Sequence, residues 1–416
     1  MKRKDLFSLH IEWIKGGVCA PMGFKASGVH CGIRHNPGKK DLALVVSDVP
    51  ANAAAVFTRN KVYGAPITVS REHLKKTGGK ARAYLCNSGN ANTCNADGVD
   101  VADAMCASLA NAAGISAEDV IIASTGVIGQ PIPLDAIKLG IPSLVSQLRR
   151  DGADDAAYAI MTTDTFDKQA AVTFDVSGKA VTIGAMCKGS GMIAPNMATM
   201  LAFVTTDAAI EIPALQTALT AAVNDSFNCV VIDGDTSTND TCAIMANGLA
   251  GNDTITAESD ASSAFTDALT ALLKKLAREL AKDGEGATRL LTVNLKGAPT
   301  DKLARSIARS IVTSPLCKTA IFGADANWGR VLCAIGYTEG EFAADTIDVS
   351  IESAKGTLNV CKNGMGVSFD EAAAKAILLE DEVTLNVNMN QGAASAVFYG
   401  CDLTYDYVKI NGDYRS

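Results

Sequence analysis

Cys187-Lys188-Gly189-Ser190-Gly191-Met192-Ile193-Ala194-Pro195-Asn196-Met197-Ala198-Thr199-Met200-Leu201-Ala202-Phe203 lies almost at the midpoint of the 416 residues. Two glycines and a proline interrupt regular structure before Ala198. The run MLAFVTTD after Thr199 has the β-branched and aromatic content of a buried strand. A glycine-rich loop therefore feeds a rigid element at Thr199. A threonine hydroxyl held against the carbonyl of the preceding residue can attack it, turning the amide into an ester that water then opens. The new chain would begin at Thr199 with two chemical tools. Its Oγ is a nucleophile, and its α-amine, with a reference pKa of about 7.7 to 8, is a base suited to neutral pH.

Composition narrows the class of function. A net charge of -8, with no Lys/Arg cluster beyond Lys2-Arg3-Lys4, argues against a nucleic-acid surface and favours small-molecule chemistry. Twelve cysteines are scattered from Cys19 to Cys401 without a CxxC pair, the pattern of small buried hydrophobes in a reducing compartment. No apolar run reaches membrane or signal-peptide length, so a soluble cytoplasmic protein is expected, with no membrane partner. Only His10, His30, His35 and His73 are available. They offer no i, i+4 metal pair and no suggestive triad, so no metal is expected. The length predicts two domains or one two-lobed unit.

The elements read as mixed α/β. DLALVVSD and AAAVFTRNKVYGAPITVS are strand-like. ARAYLC precedes the polar loop Asn87-Ser88-Gly89-Asn90-Ala91-Asn92-Thr93, and the helix VDVADAMCASLANAAG ends at Gly114. DVIIASTGVIGQ predicts a buried strand with an abrupt turn at Ser124-Thr125-Gly126. Two alternating strands flank Ser177-Gly178 as a hairpin leading into the central loop. Phe265, Leu269, Leu272, Leu273, Leu276 and Leu280 recur at helical spacing, and Gly284 is placed to end that helix, leaving Glu285 just beyond it. RLLTVNLK then reads as a strand and TDKLARSIARSIVTSPL as a helix. Trp328, in a glycine-rich loop, reads as a packing anchor. The aromatic C-terminus predicts a docked rather than frayed end.

The string KGSGMIAPNMATMLAF closely resembles the self-cleavage segment of the ornithine acetyltransferase family, also called glutamate N-acetyltransferases. The resemblance extends over nearly the whole chain, through APxGF (Ala20, Pro21, Gly23, Phe24), VFTxNK (Val56 to Lys61), the STG and DGEGAT segments, KTAxFGxDxNWGR and a terminal INxxYR. Met22, Tyr399 and Ser416 depart from the residues common in the family. Serine at 416 replaces threonine and keeps the hydroxyl.

The resemblance implies an α/β layered sandwich with β-sheets packed between helices, the architecture shared with N-terminal-nucleophile aminopeptidases. It implies cleavage at Ala198-Thr199 into an α chain (1–198) and a β chain (199–416), assembled as α2β2. Thr199 would be the nucleophile, and Thr125 and Gly126 the oxyanion hole. Thr162, Lys188, Thr199, Glu285, Asn411 and Ser416 would hold substrate. The implied reaction moves acetyl from N2-acetyl-L-ornithine to L-glutamate in arginine biosynthesis by a two-step exchange. No cofactor is needed, although acetyl-coenzyme A is an alternative donor in some members.

Three rivals stand beside this reading. One is an aminopeptidase or amidohydrolase of similar fold that passes the acyl group to water. Another is an unprocessed binding protein. The third is a nicotinamide dehydrogenase, because Gly189-Ser190-Gly191-Met192-Ile193-Ala194 fits GxGxxA with Asp207 beyond it. Only MIAPNMAT separates those glycines from the next strand, too few residues for the crossover helix of a βαβ unit.

Overall fold

The computed structural model describes residues 10–194 and 200–413. They form two compact units. One takes residues 10–189, 200–228 and 236–276, and the other takes 190–194, 229–235 and 277–413. Each unit draws on sequence from both sides of residue 198.

The first eight strands in chain order are β1 (Glu12–Ile14), β2 (Phe24–Val29), β3 (Leu42–Phe57), β4 (Lys80–Asn90), β5 (Val120–Val127), β6 (Lys168–Val176), β7 (Lys179–Lys188) and β8 (Leu201–Thr206). The two-residue β9 (Val230–Val231) belongs to the second unit, and β10 (Thr241–Ala246) returns to the first. Together they make a nine-stranded sheet in the order β1-β6-β7-β8-β10-β3-β4-β5, with β2 also paired to β3. The helices are α1 (Ala65–Lys76), α2 (Gly98–Ala113), α3 (Leu134–Ser146), α4 (Ala153–Ala159) and α5 (Ile212–Asn224), with α6 (Asp260–Lys282) crossing the sequence boundary at 276.

Side-chain alternation assigns the two faces of this sheet. Ala43, Val45, Tyr84, Cys86, Ile121 and Ala123 share a core with the alanines of α4. Their neighbours Leu42, Leu44, Ala83, Leu85, Val120 and Ile122 pack with Met105, Leu109, Ile137 and Ile141 of α2 and α3. A sheet covered on both faces needs apolar residues at every position, which is why these strands read as continuous hydrophobic runs. Pro50 has no N–H to give to a ladder, and the β3–β4 register shifts between Val46 and Ala51 around it.

The second unit adds β11 (Leu290–Ala298), β12 (Asp348–Ser353), β13 (Gly356–Lys362), β14 (Met365–Gly366), β15 (Glu382–Asn388) and β16 (Ala394–Cys401) in the order β14-β13-β12-β15-β11-β16-β9. Its helices are α7 (Asp301–Thr313), α8 (Pro315–Phe322), α9 (Trp328–Gly336), α10 (Glu371–Leu378) and α11 (Tyr405–Gly412). Leu303, Ile307 and Ile311 of α7 share one core with Val293, Leu385 and Phe398 of the sheet. Thr300, Ser314, Asn327 and Thr404 cap α7, α8, α9 and α11 through their side chains. Trp328 is the packing anchor that its loop suggested: a Cβ on Gly366 would stand 2.3 Å from its ring.

Two local readings need correction or confirmation. Ser124-Thr125-Gly126 is not a turn but the end of β5, which stays paired to β4 as far as Val127, with a register shift at Gly89/Asn90. The hairpin is as expected, with Ser177 and Gly178 both at positive φ (54° and 80°), the mark of a two-residue primed turn. Its second strand, β7, runs antiparallel to β8, with Lys188 opposite Leu201. A dinucleotide fold needs parallel strands joined by a helix there, so the GxGxxA match is coincidental.

Candidate active site

In the first unit the site grows from three strand ends. Gly126 holds φ at +135° where β5 closes on β4, and a Cβ there would stand 2.3 Å from the Gly89 carbonyl carbon. Glycine is needed for that approach. Asn239 braces the same strand end, donating from Nδ2 to the Ser124 and Ala91 carbonyls at 2.9 and 2.6 Å. Ser124 Oγ donates to Asn87 Oδ1 at 2.5 Å. Thr125 is thus presented by a rigid ladder. Its Oγ1 lies 3.5 Å from Lys188 Nζ at the end of β7.

The start of β6 and the end of β7 are drawn together by Asp164. This carboxylate has no exposed side-chain surface and accepts the Thr162 N–H (2.9 Å), the Gly189 N–H (2.7 Å) and Lys168 Nζ (2.8 Å), with Lys188 Nζ at 3.9 Å. Burial alone would push it up. The charges of Lys188 and Lys168, with the hydrogen bonds it accepts, overcome that and hold it well below the usual carboxylate range. Asp240 is treated oppositely. It is 1% exposed, and burial outweighs the lowering influence of Ser237, Thr58 and the Met200 N–H and pushes it well above the carboxylate range.

In the second unit Glu285 follows α6 as expected and is 8% exposed. Its N–H donates to Ser190 O at 2.8 Å, and its Oε2 accepts Asn411 Nδ2 at 2.7 Å. A Cβ on Gly191 would stand 2.4 Å from the Glu285 carboxyl, so only glycine fits beside it. Asp233 accepts the N–H groups of Met192 (2.6 Å) and Ile193 (2.9 Å) and fixes this end of the central loop. The Tyr407 hydroxyl bonds to Asp233, and burial with the nearby charges of Asp233, Glu285 and Asp235 pushes that phenol up. Thr404 Oγ1 donates to Gly286 O at 2.7 Å, docking α11 on the turn that carries Glu285.

Of the residues read from the sequence, Thr162 and Lys188 meet at Asp164, and Lys188 also reaches Thr125, which Gly126 adjoins. Glu285 meets Asn411. Ala198, Thr199 and Ser416 lie outside the described residues. Sequence reasoning missed Asp164, Asn239, Asp233 and Tyr407. The available signal for Asp164 was its place in MTTDT beside Thr162, and for Asp233 its place at the end of an apolar run. Among the described residues no group of three His, Cys, Asp or Glu side chains is placed to hold a metal, and no helix is long and apolar enough to cross a membrane.

A family model described as the ArgJ family matches residues 25–416. The chain is 50% identical over 408 residues to the arginine biosynthesis bifunctional protein ArgJ of Symbiobacterium thermophilum, spanning 98% of this chain and 100% of that one. It is 49% identical over 407 residues to the protein of that name from Caldanaerobacter subterraneus subsp. tengcongensis, again 98% and 100%. A crystal structure of the Bacillus halodurans arginine biosynthesis bifunctional protein argJ is 47% identical across 51% of this chain and 98% of that chain, with a TM-score of 0.49. A family match over almost the full length, with relatives at half identity end to end, leaves one assignment: this chain belongs to the ArgJ family.

Proposed function

We propose that this enzyme cuts itself at Ala198-Thr199 and then moves acetyl from N2-acetyl-L-ornithine to L-glutamate, in arginine biosynthesis. In maturation Thr199 Oγ attacks the Ala198 carbonyl and the C–N bond breaks as the nitrogen takes up the hydroxyl proton and becomes the free α-amine of Thr199; water then opens the resulting ester, leaving Ala198 as a carboxylate and restoring the Thr199 hydroxyl. In turnover the same Oγ attacks the acetyl carbonyl. The α-amine takes the hydroxyl proton and returns it to the departing nitrogen of ornithine. Acetyl-Thr199 remains, and the glutamate amine attacks it to give N-acetylglutamate and restore the hydroxyl.

The observation that carries this reading is the contact of Lys188 with Thr125. An ammonium has only donors, so it occupies a lone pair of the Thr125 hydroxyl and leaves that hydroxyl's own hydrogen for another acceptor. The Thr125 O–H and the Gly126 N–H then serve a developing oxyanion, where one donor is worth about 10² to 10³ in rate. Lys188 suits a substrate carboxylate and Glu285 the side-chain ammonium of ornithine. Thr162, Asn411 and Ser416 complete the amino-acid site. The working form is a cytoplasmic assembly of two α and two β chains, and no metal or organic cofactor enters the scheme. Acetyl-coenzyme A is a second donor in a bifunctional version of the same chemistry.

Intact mass and N-terminal sequencing of the wild type beside Thr199→Ala test the first half. Fragments starting at Met1 and Thr199, absent from the variant, are expected, and an uncut but active wild type overturns the mechanism. Product analysis with N-acetylornithine tests the second half. Glutamate-dependent N-acetylglutamate is expected. Equal release of acetate with and without glutamate would instead mark an amidohydrolase.

A further inference from the structure

β5 ends the strand order of the first sheet, and its outer edge is closed by side chains in place of a neighbouring strand. His73 Nδ1 donates to the Val120 carbonyl at 2.8 Å. Two residues on, Ser70 Oγ donates to Ile122 O at 2.7 Å and accepts the Ile122 N–H at 2.8 Å. Two further on, Asn239 Nδ2 donates to Ser124 O at 2.9 Å. The backbone groups of a strand alternate between its two edges, so Gly126 is the next position on this one. Val127 fixes the phase, because its carbonyl accepts the Ala91 N–H at 2.9 Å on the β4 side. Side-chain cover therefore reaches Ser124, two residues before the glycine N–H assigned to the oxyanion.

All the hydrogen-bonding capacity of the Asn239 amide is in use. Its two N–H groups go to Ser124 O and, at 2.6 Å, to Ala91 O, while its Oδ1 accepts the hydroxyls of Thr93 at 2.7 Å and Thr238 at 2.5 Å. The segment that carries it is stitched to the chain that follows β3. Thr58 Oγ1 donates to Ser237 O, Asn60 Nδ2 to Thr236 O, and the Gly64 N–H to Thr238 O. A Cβ on Gly64 would stand 2.7 Å from both Asn239 Nδ2 and Thr93 Oγ1, so the amide is packed as well as bonded. Thr58 and Asn60 belong to the VFTxNK motif, and Ala91 and Thr93 to the polar loop that ends β4. Two motifs that take no part in the chemistry thus meet behind Thr125-Gly126.

We infer that Asn239 is the positioning residue of the oxyanion hole: one buried amide, carried by the sequence downstream of residue 198, ties the last side-chain-covered carbonyl of β5 to the 91–93 loop and so fixes where Thr125 and the Gly126 N–H stand. A preorganised donor stabilises developing charge only when it stands about 2.7 to 3.1 Å from the oxyanion. Loss of the tie therefore slows the chemical step more than it weakens substrate binding. The inference rests on the oxyanion role proposed for Thr125 and Gly126, and the test separates the two.

Steady-state acetyl transfer from N2-acetyl-L-ornithine to L-glutamate is measured for wild type, Asn239→Ala, Thr93→Val, Ser70→Ala, Thr125→Ala and the double variant of Asn239→Ala with Thr125→Ala, after mass analysis confirms cleavage and a thermal melt confirms folding. Asn239→Ala should lower kcat about tenfold or more, with KM within about threefold of wild type. Thr93→Val keeps the branched shape but removes one hydroxyl from Asn239 Oδ1. It moves kcat the same way by less, and carries the test if Asn239→Ala fails to fold or to cut. Ser70→Ala also leaves a buried carbonyl of the same edge unmet, but at Ile122, so it should lower the melting temperature with kcat unchanged. In the double variant the Asn239 substitution should cost less than it does alone, because part of what it positions is already gone. An Asn239→Ala with unchanged kcat overturns the inference, as does a kcat loss that Ser70→Ala matches or that multiplies in full with that of Thr125→Ala. A wild type that transfers no acetyl to glutamate, or a Thr125→Ala with wild-type kcat, overturns the underlying reading instead.

Discussion

At the scale of single residues, two buried carboxyls in one unit are pushed in opposite directions, and each leaves a different mark on stability. Asp164 is held below its unfolded pKa of about 3.9. Its contribution is therefore present above that pH and is lost as pH falls toward the folded value. Asp240 is held above. It favours the folded state fully only below about pH 3.9, and that contribution is lost as pH rises toward its folded value. Asp240→Asn is accordingly expected to stabilise the protein near pH 7.5, because the amide is buried without having to take up a proton. At pH 3.5 the gain should be far smaller. Thermal melts of both chains at the two pH values check the sign, and a gain that grows toward acid would contradict the burial argument. In the second unit, Gly191→Ala drives a methyl into the Glu285 carboxyl, since the added Cβ would stand 2.4 Å away. KM for acetylornithine should rise about tenfold or more while cleavage at 198–199 continues, as kinetics beside intact mass would show. Equal KM values would remove Glu285 from the substrate site.

At the scale of elements, α11 is a short helix whose work depends on one cap. Thr404 accepts the Tyr407 N–H at 3.4 Å and donates to Gly286 O at 2.7 Å, so one hydroxyl both starts the helix and holds it to the Glu285 turn. Thr404→Ala should cost about 1 kcal/mol, enough to raise hydrogen exchange in 405–412 selectively and to loosen the Asn411–Glu285 bond. Exchange that rises equally across the chain would instead mean a global effect. Elements of this kind show how far the sequence could be read. The 168–188 hairpin, α2 with its stop at Gly114, α6 and α7 were all legible because period, caps and turn residues are local signals. The STG segment was misread as a turn because its partners Asn87, Ser88 and Gly89 lie 37 residues away, and propensity carries no information about register. Thr125, Lys188, Glu285 and Asn411 came from the resemblance of whole motifs. Asp164 escaped because its importance is burial between two lysines, and a carboxylate near a threonine pair reads equally well as a solvated side chain. The Rossmann-like glycines misled in the other direction, since their spacing fits a nucleotide loop while β7 and β8 run antiparallel around them.

At the scale of the whole molecule, the ladder around the junction says what a cut would do. β8, which begins two residues after Thr199, is an inner strand of the first sheet. It pairs antiparallel with β7 on one side, from Ile183↔Thr206 to Lys188↔Leu201, and parallel with β10 on the other, from Thr241↔Leu201 to Ala246↔Thr206. Every residue of β8 is buried. Sequence from beyond the junction also supplies α5, β10 and most of α6 to the first unit, while residues 190–194 from before it belong to the second. Separating 1–198 from 199–416 would therefore strip a central strand from its sheet and expose both faces of the ladder, a cost comparable to unfolding the unit itself. Self-cleavage is thus expected to leave one cooperative structure. The cut protein should elute as a single species in native size exclusion, melt in one transition at a temperature within a few degrees of Thr199→Ala, and yield two separable fragments only in strong denaturant. Two native peaks, or two melts with one matching an isolated fragment, would mean that the strands across the junction do not hold the products together as this ladder requires.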